Sequence, residues 1–156
     1  MRLVAEIMAD QGSGQIINVT SLAGLVPTPG NALYSAAKAG LRSASLAASV
    51  KLREKGVYVT VIAPDVVDTP ALQVHYRNPE AAALIHSGPR PMPVSTIEQA
   101  LFKAMREKPL EISLPTWRGW LAKINNLSPS LIHLLYGPLS RRGRKRLVEN
   151  QAHADD

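Results

Sequence analysis

The apolar positions fall into short unbroken runs separated by longer segments of helical period. Ile16, Ile17 and Val19 form one run, and Gln15–Thr20 reads as a strand buried on both faces. Val57–Ala63 is a second such strand, with Pro64 opening the loop at its C-terminal end, and Leu110–Leu114 is a third, closed by Pro115. Between the first two lies a helix from about Tyr34 to Lys55, dominated by Ala and Ser and stopped by Gly56. Ala37, Leu41, Ala44 and Ala48 make its stripe, whose small side chains allow close packing on a sheet or a partner helix. Ahead of the first strand, Met1–Asp10 reads as the end of a helix, with Leu3, Ile7 and Met8 on one side and Gly12 as its C-terminal cap. Ser95-Thr96-Ile97-Glu98 reads as a capping box opening a helix to about Lys108.

The pattern weakens elsewhere. Residues 70–94 have no strong period and carry Pro79, Pro89, Pro91 and Pro93, which predicts a lid with one short helix near Pro79–Ile85. After Pro115, the residues Trp117, Trp120, Leu121 and Ile124 form an amphipathic stripe. Ser128-Pro129 looks like a cap and a favoured first helical position, opening an apolar segment that Gly137-Pro138 ends. The expected division is a body at 1–115, a basic helical extension at 116–148 and a disordered tail at 149–156.

A length of 156 residues, 46% of them apolar, suits one domain with a real core. The absence of cysteine removes disulfides and thiolate metal sites and fits a cytoplasmic location. His75 and His86 stand eleven apart in a Pro-rich stretch, which is not metal-ligand spacing, and no metal is expected. The net charge of +6 is concentrated at the end of the chain. From Trp117 to Val148 the charged residues are Arg118, Lys123, Arg141, Arg142, Arg144, Lys145 and Arg146, with no acid among them. Two readings stand for 117–146. One is a segment packed over a pocket or a subunit interface with its cations solvated, which is preferred; the other is peripheral contact with an anionic membrane. Nucleic-acid binding is not expected, because no aromatic reading surface accompanies R-R-G-R-K-R.

The chemistry concentrates between Gly14 and Lys38. The first strand delivers Ser21 at its C-terminal end, where open parallel sheets place their ligands. Tyr34 and Lys38 stand four apart on one helix face, so a phenol and an ammonium can project toward one pocket. Together the three suggest proton transfer to a carbonyl or from an alcohol.

Ser21 lies 13 residues before Tyr34, Y-S-A-A-K fits Y-x-x-x-K, and I-I-N-V-T-S-L-A-G and A-P-D-V-V-D-T-P complete the set. In these features the chain closely resembles the short-chain dehydrogenase/reductases, over about residues 3–115. The resemblance implies a Rossmann-like three-layer α/β fold with a parallel sheet. About three strands of it would be present, as the C-terminal, catalytic half, followed by C-terminal helices. It implies an NAD- or NADP-dependent oxidoreductase, commonly a homo-oligomer, interconverting a small-molecule alcohol and a carbonyl compound. Tyr34 would then be the proton donor and acceptor. A phenol near pKa 10 is poorly matched to neutral pH, and Lys38 would lower that value while binding the nicotinamide ribose. Ser21 would orient the substrate oxygen, and Pro64, Val67 and Thr69 would border the nicotinamide. Asp65 stands where the family usually has glycine, which adds bulk and charge. The family's glycine-rich turn after the first strand does not occur in the sequence, so the chain is expected to be incomplete and inactive alone. The alternative is a non-catalytic interaction or membrane-surface module built from the half-domain and its basic helices.

Overall fold

The computed structural model describes residues 1–72, 83, 87, 88, 90–128 and 130–152. The elements run α1 (Arg2–Asp10), β1 (Gly14–Val19), a 3-10 turn (Leu22–Gly24), α2 (Ala32–Arg53), β2 (Val57–Pro64), α3 (Val94–Glu107), β3 (Glu111–Leu114), α4 (Thr116–Leu127) and α5 (Leu131–Ala152). The strands form one parallel sheet in the order β1-β2-β3, with Ile17 opposite Thr60 and Ile62 opposite Ile112.

β2 is central and carries the most buried side chains, Val57, Val61, Ile62 and Ala63 among them. That burial is why its sequence is a continuous apolar run and not an alternation. Helices cover both faces. On one, Gln15 of β1 donates from Nε2 to the Ala104 carbonyl at 2.6 Å, and Ile62 packs with Ala100 and Ala104 of α3. On the other, Asn18 of β1 donates to the Ser45 hydroxyl of α2 at 2.8 Å. Residues 15 and 18 differ in parity, so they point to opposite faces of the strand. The result is the expected three-layer α/β arrangement.

The turns into β1 and β2 lie side by side. Gly56 has φ +73°, and a Cβ there would stand 2.1 Å from the Gly12 carbonyl oxygen. Gly12 itself has φ +68° just past the end of α1. A left-handed backbone and direct main-chain contact leave room for nothing larger at Gly56.

Several expectations are corrected. The α2 stripe expected to pack on a sheet or a partner helix divides: Leu41 and Ala48 are half-buried, whereas Ala37 and Ala44 are exposed and do not meet the sheet. Ser35, Lys38, Arg42 and Ser45 point inward instead, Ser45 with 0% exposure. Polar partners explain the inversion: Asn18 meets Ser45, and Arg42 pairs with Glu111 of β3 at 2.7 Å. The capping box also fails. Pro93 is the N-cap of α3, in extended geometry and without a side-chain cap bond, so Ser95 already lies inside the helix. Ser128 closes α4 and does not open α5, which begins at Leu131.

Gly137-Pro138 does not end the last helix. α5 runs through Pro138 to Ala152, past the start of the expected disordered tail. Its docking accounts for this: Ser140 is buried, and a Cβ on Gly143 would stand 1.5 Å from the Ala83 carbonyl oxygen. Contact of that closeness can outweigh the helix-breaking tendency of a proline. The short helix expected near Pro79–Ile85 lies, apart from Ala83, outside the described residues. Among the described residues no helix is long and apolar enough to cross a membrane.

Candidate active site

The C-terminal ends of β1 and β2 open onto one cavity of about 740 Å³. Thr20 pins the end of β1, its N–H donating to the Ile62 carbonyl at 2.7 Å and its hydroxyl to the same oxygen at 3.2 Å. The next residue, Ser21, is extended and caps the 3-10 turn, its Oγ accepting from the Ala23 N–H at 3.1 Å. That bond uses a lone pair and leaves the hydroxyl proton available to a ligand oxygen. The turn rests directly on α2: a Cβ on Gly24 would stand 2.8 Å from the Lys38 carbonyl carbon. A larger residue at 24 would drive Ser21 away from α2.

Tyr34 lies in the first turn of α2, 38% exposed and on the cavity wall with Ser21. The start of α2 is held to the preceding loop by the Thr28 N–H, which donates to the Ser35 hydroxyl at 3.1 Å. Lys38, one turn on, is half-buried below the wall and does not line the cavity. Its Nζ donates to the Val19 carbonyl at 3.3 Å and stands 5.7 Å from the centroid of the Tyr34 ring. An ammonium has three donors, so this contact leaves two for a ligand.

Pro64, Val67 and Thr69 line the same cavity. Their loop is tied down by the Asp68 N–H to the Met92 carbonyl and the Met92 N–H to the Val66 carbonyl, both 2.8 Å. The structure thus brings Ser21, Tyr34, Pro64, Val67 and Thr69 around one space, with Lys38 behind Tyr34. His75, Tyr76 and His86 lie outside the described residues, and Arg90 is exposed. Among the described residues no group of three or more His, Cys, Asp or Glu could hold a metal.

Two features of this site were missed by sequence reasoning. Asp65, at the usual glycine position, has its N–H bound to the Leu114 carbonyl at 2.8 Å, and its carboxylate accepts from Arg118 of α4. Burial pushes the Asp65 carboxyl up from its ordinary value, against the opposing charge of Arg118. An acid where glycine is usual, and an isolated arginine in an otherwise apolar helix start, were the available signals. The second feature is the orientation of α4. Its buried face is Gly119, Ala122 and Asn125, while Trp117, Leu121 and Ile124 wall the cavity. Gly119 permits this, since a Cβ there would stand 2.2 Å from the Ser113 Cβ. Trp120 leaves the stripe and is 64% exposed.

Comparison with known proteins agrees with the fold. The chain is 43% identical over 68 residues to a 3-oxoacyl-[acyl-carrier-protein] reductase of Synechocystis sp., covering 44% of this chain and 28% of that protein. It is 33% identical over 114 residues to a ketoacyl reductase of Nostoc sp., covering 71% and 37%. A short chain dehydrogenase from Burkholderia cenocepacia, solved in complex with NADP, superposes with TM-score 0.67 at 21% identity, covering 85% of this chain and 51% of that one. One from Streptomyces avermitilis gives 0.61 at 20%, covering 87% and 54%. The chain therefore spans about a third of these curated relatives and about half of these solved structures, which share its fold. The short chain dehydrogenase family profile matches residues 1–80, from α1 through both strand ends that open onto the cavity. On that match the chain belongs to the short chain dehydrogenase family.

Proposed function

We propose that this chain forms the catalytic part of an NAD- or NADP-dependent enzyme that interconverts an alcohol and a carbonyl compound. The observation that carries the reading is the placement of Ser21 and Tyr34 on one cavity wall, with the Lys38 ammonium one turn behind the phenol. In the oxidative direction the phenolate of Tyr34 takes the hydroxyl proton of the substrate; in reduction the phenol returns it to the carbonyl oxygen. Ser21 donates its free proton to that same oxygen and holds it within reach of Tyr34. Lys38 sets its ammonium one turn behind the phenol, 5.7 Å from the ring centroid, and its two remaining N–H donors suit a ribose. The backbone of Pro64 and Val67 and the hydroxyl of Thr69, which line the same cavity, would hold the nicotinamide ring. When bound there, a nicotinamide would supply the hydride chemistry at the substrate carbon.

These 156 residues hold no glycine-rich turn between a strand and a helix to cradle the cofactor pyrophosphate. Turnover is therefore assigned to a protein in which this chain is joined to such a cradle, and titration of the chain alone with NADP should show no micromolar binding. In the joined enzyme, Tyr34→Phe should abolish turnover and leave cofactor affinity largely intact. Near-normal turnover in that variant would sink the proton-transfer assignment.

Assembly follows from exposed faces. Ala37 and Ala44 leave a small-residue face on α2 that suits a second copy of the chain. A membrane-surface role for 117–146 is a second reading, favoured by exposed Trp120 and Leu127 with the Lys123 ammonium 5.6 Å from the Trp120 ring. Co-sedimentation with phosphatidylglycerol vesicles, absent with phosphatidylcholine alone, would support it.

A further inference from the structure

The cavity is far larger than its reactive corner. Its volume lies within the range of about 300–1,000 Å³ typical of small-molecule sites, and its walls away from Ser21 and Tyr34 are largely apolar. Leu22 and Val26 stand near the reactive end, with Trp117, Leu121, Ile124 and Leu139 on the α4 and α5 side. Among the described residues, the charged groups that line it are Asp65, Arg118 and Arg142. Asp65 and Arg118 neutralise each other as an ion pair. Arg142 has no hydrogen bond or ion pair to any described residue, so among the described lining residues it is the cation without a counter-charge. Arg142 is exposed at the rim of these apolar walls, and a guanidinium there favours an anionic partner through charge-assisted, bidentate hydrogen bonds.

Its position is also specified. The cationic run of α5 points its members in different directions. Arg141, Arg144 and Lys145 do not line the cavity, and Arg146 donates to the Gly88 carbonyl. Gly143, the residue after Arg142, is packed against the Ala83 carbonyl, which sets the rotation of the helix at this point.

We propose that Arg142 is a specificity residue, and that the substrate is an alcohol or ketone with an extended apolar body ending in a carboxylate or phosphate that Arg142 holds. This rests on the oxidoreductase reading for the reacting group, but the anion site is tested without turnover. Trp117 lines the cavity and supplies the signal; Trp120→Phe removes the other tryptophan. That variant would be titrated with decanoate and with decan-1-ol, following fluorescence. Decanoate should bind at least about tenfold more tightly, as a charge-assisted contact of about 1.5–3 kcal/mol implies. Arg142→Gln should abolish the preference, Arg142→Lys should keep much of it, and Arg141→Gln should leave it unchanged.

Equal affinity for the two probes overturns the proposal, as does a preference that survives Arg142→Gln or falls equally with Arg141→Gln. In the joined enzyme, a loss of NADP affinity in Arg142→Gln without a change in KM for an anionic substrate would give the arginine to the cofactor and also overturn it. Failure of the oxidoreductase reading shows separately, as turnover that does not depend on Tyr34.

Discussion

Arg118→Ala tests how the C-terminal helices are tied to the site. The substitution leaves the Asp65 carboxylate without its partner, in a place where its side chain is only 15% exposed and that of Arg118 was 23% exposed. At a charge separation of about 4 Å and an effective dielectric of about 20, the lost attraction is about 4 kcal/mol before desolvation is counted. Truncating one partner of a fully buried pair costs about 3–5 kcal/mol. Both side chains retain some water, so the expected loss is about 2–3 kcal/mol, or about 5–10 °C in Tm for a domain of this size. The pH dependence has a definite sign. The Asp65 carboxyl is raised above 3.8 by burial, so the folded chain holds this proton to higher pH than the unfolded chain does. Its contribution to stability is greatest below 3.8 and declines as pH rises through the folded value. Removing Arg118 strips away an influence that lowers the folded value, so the decline becomes larger and extends to higher pH. The deficit of Arg118→Ala should therefore be small in acid and grow toward neutral pH. Asp65→Asn combined with Arg118→Ala should recover stability to within about 1 kcal/mol, because no uncompensated buried charge remains. Urea unfolding followed by circular dichroism across that range is the assay. A deficit below about 0.5 kcal/mol, the scale of an exposed pair, or one independent of pH, would refute the reasoning.

Two other substitutions address backbone contacts. Gly24→Ala should lower kcat by about 10²-fold in the joined enzyme, since the new methyl meets the Lys38 main chain and displaces the turn that carries Ser21. A rate within twofold of the parent would show that this contact does not position the serine. Gly143→Ala should destabilise by about 1–3 kcal/mol and loosen α5, because its Cβ would fall on the Ala83 carbonyl. Faster amide exchange confined to α5 is the expected signature, and unchanged exchange would contradict the docking.

The sequence by itself determined what depends on local spacing. A strand ending at a serine and a tyrosine and lysine four apart on a helix need only the periods of the two structures, so the stretch from Ser21 to Lys38 was legible before any fold was known. The buried character of β2 was legible for the same reason: a strand covered on both faces has no polar side to show. Tertiary structure decided which surfaces meet. The hydropathy of α2 pointed to its alanines, yet the sheet presents Asn18 and Glu111 to that helix, and hydrogen-bond partners rather than apolar area selected the inward face. Arg118 finds Asp65 across 53 residues and Arg42 finds Glu111 across 69, and no local pattern encodes such pairings. The same holds for α5, where a Gly-Pro pair signals a stop but close backbone contact at Gly143 keeps the helix going and sets Arg142 on the cavity wall. Propensity is a property of neighbours in the chain, whereas contact distance is a property of neighbours in space, and at these positions the second outweighed the first.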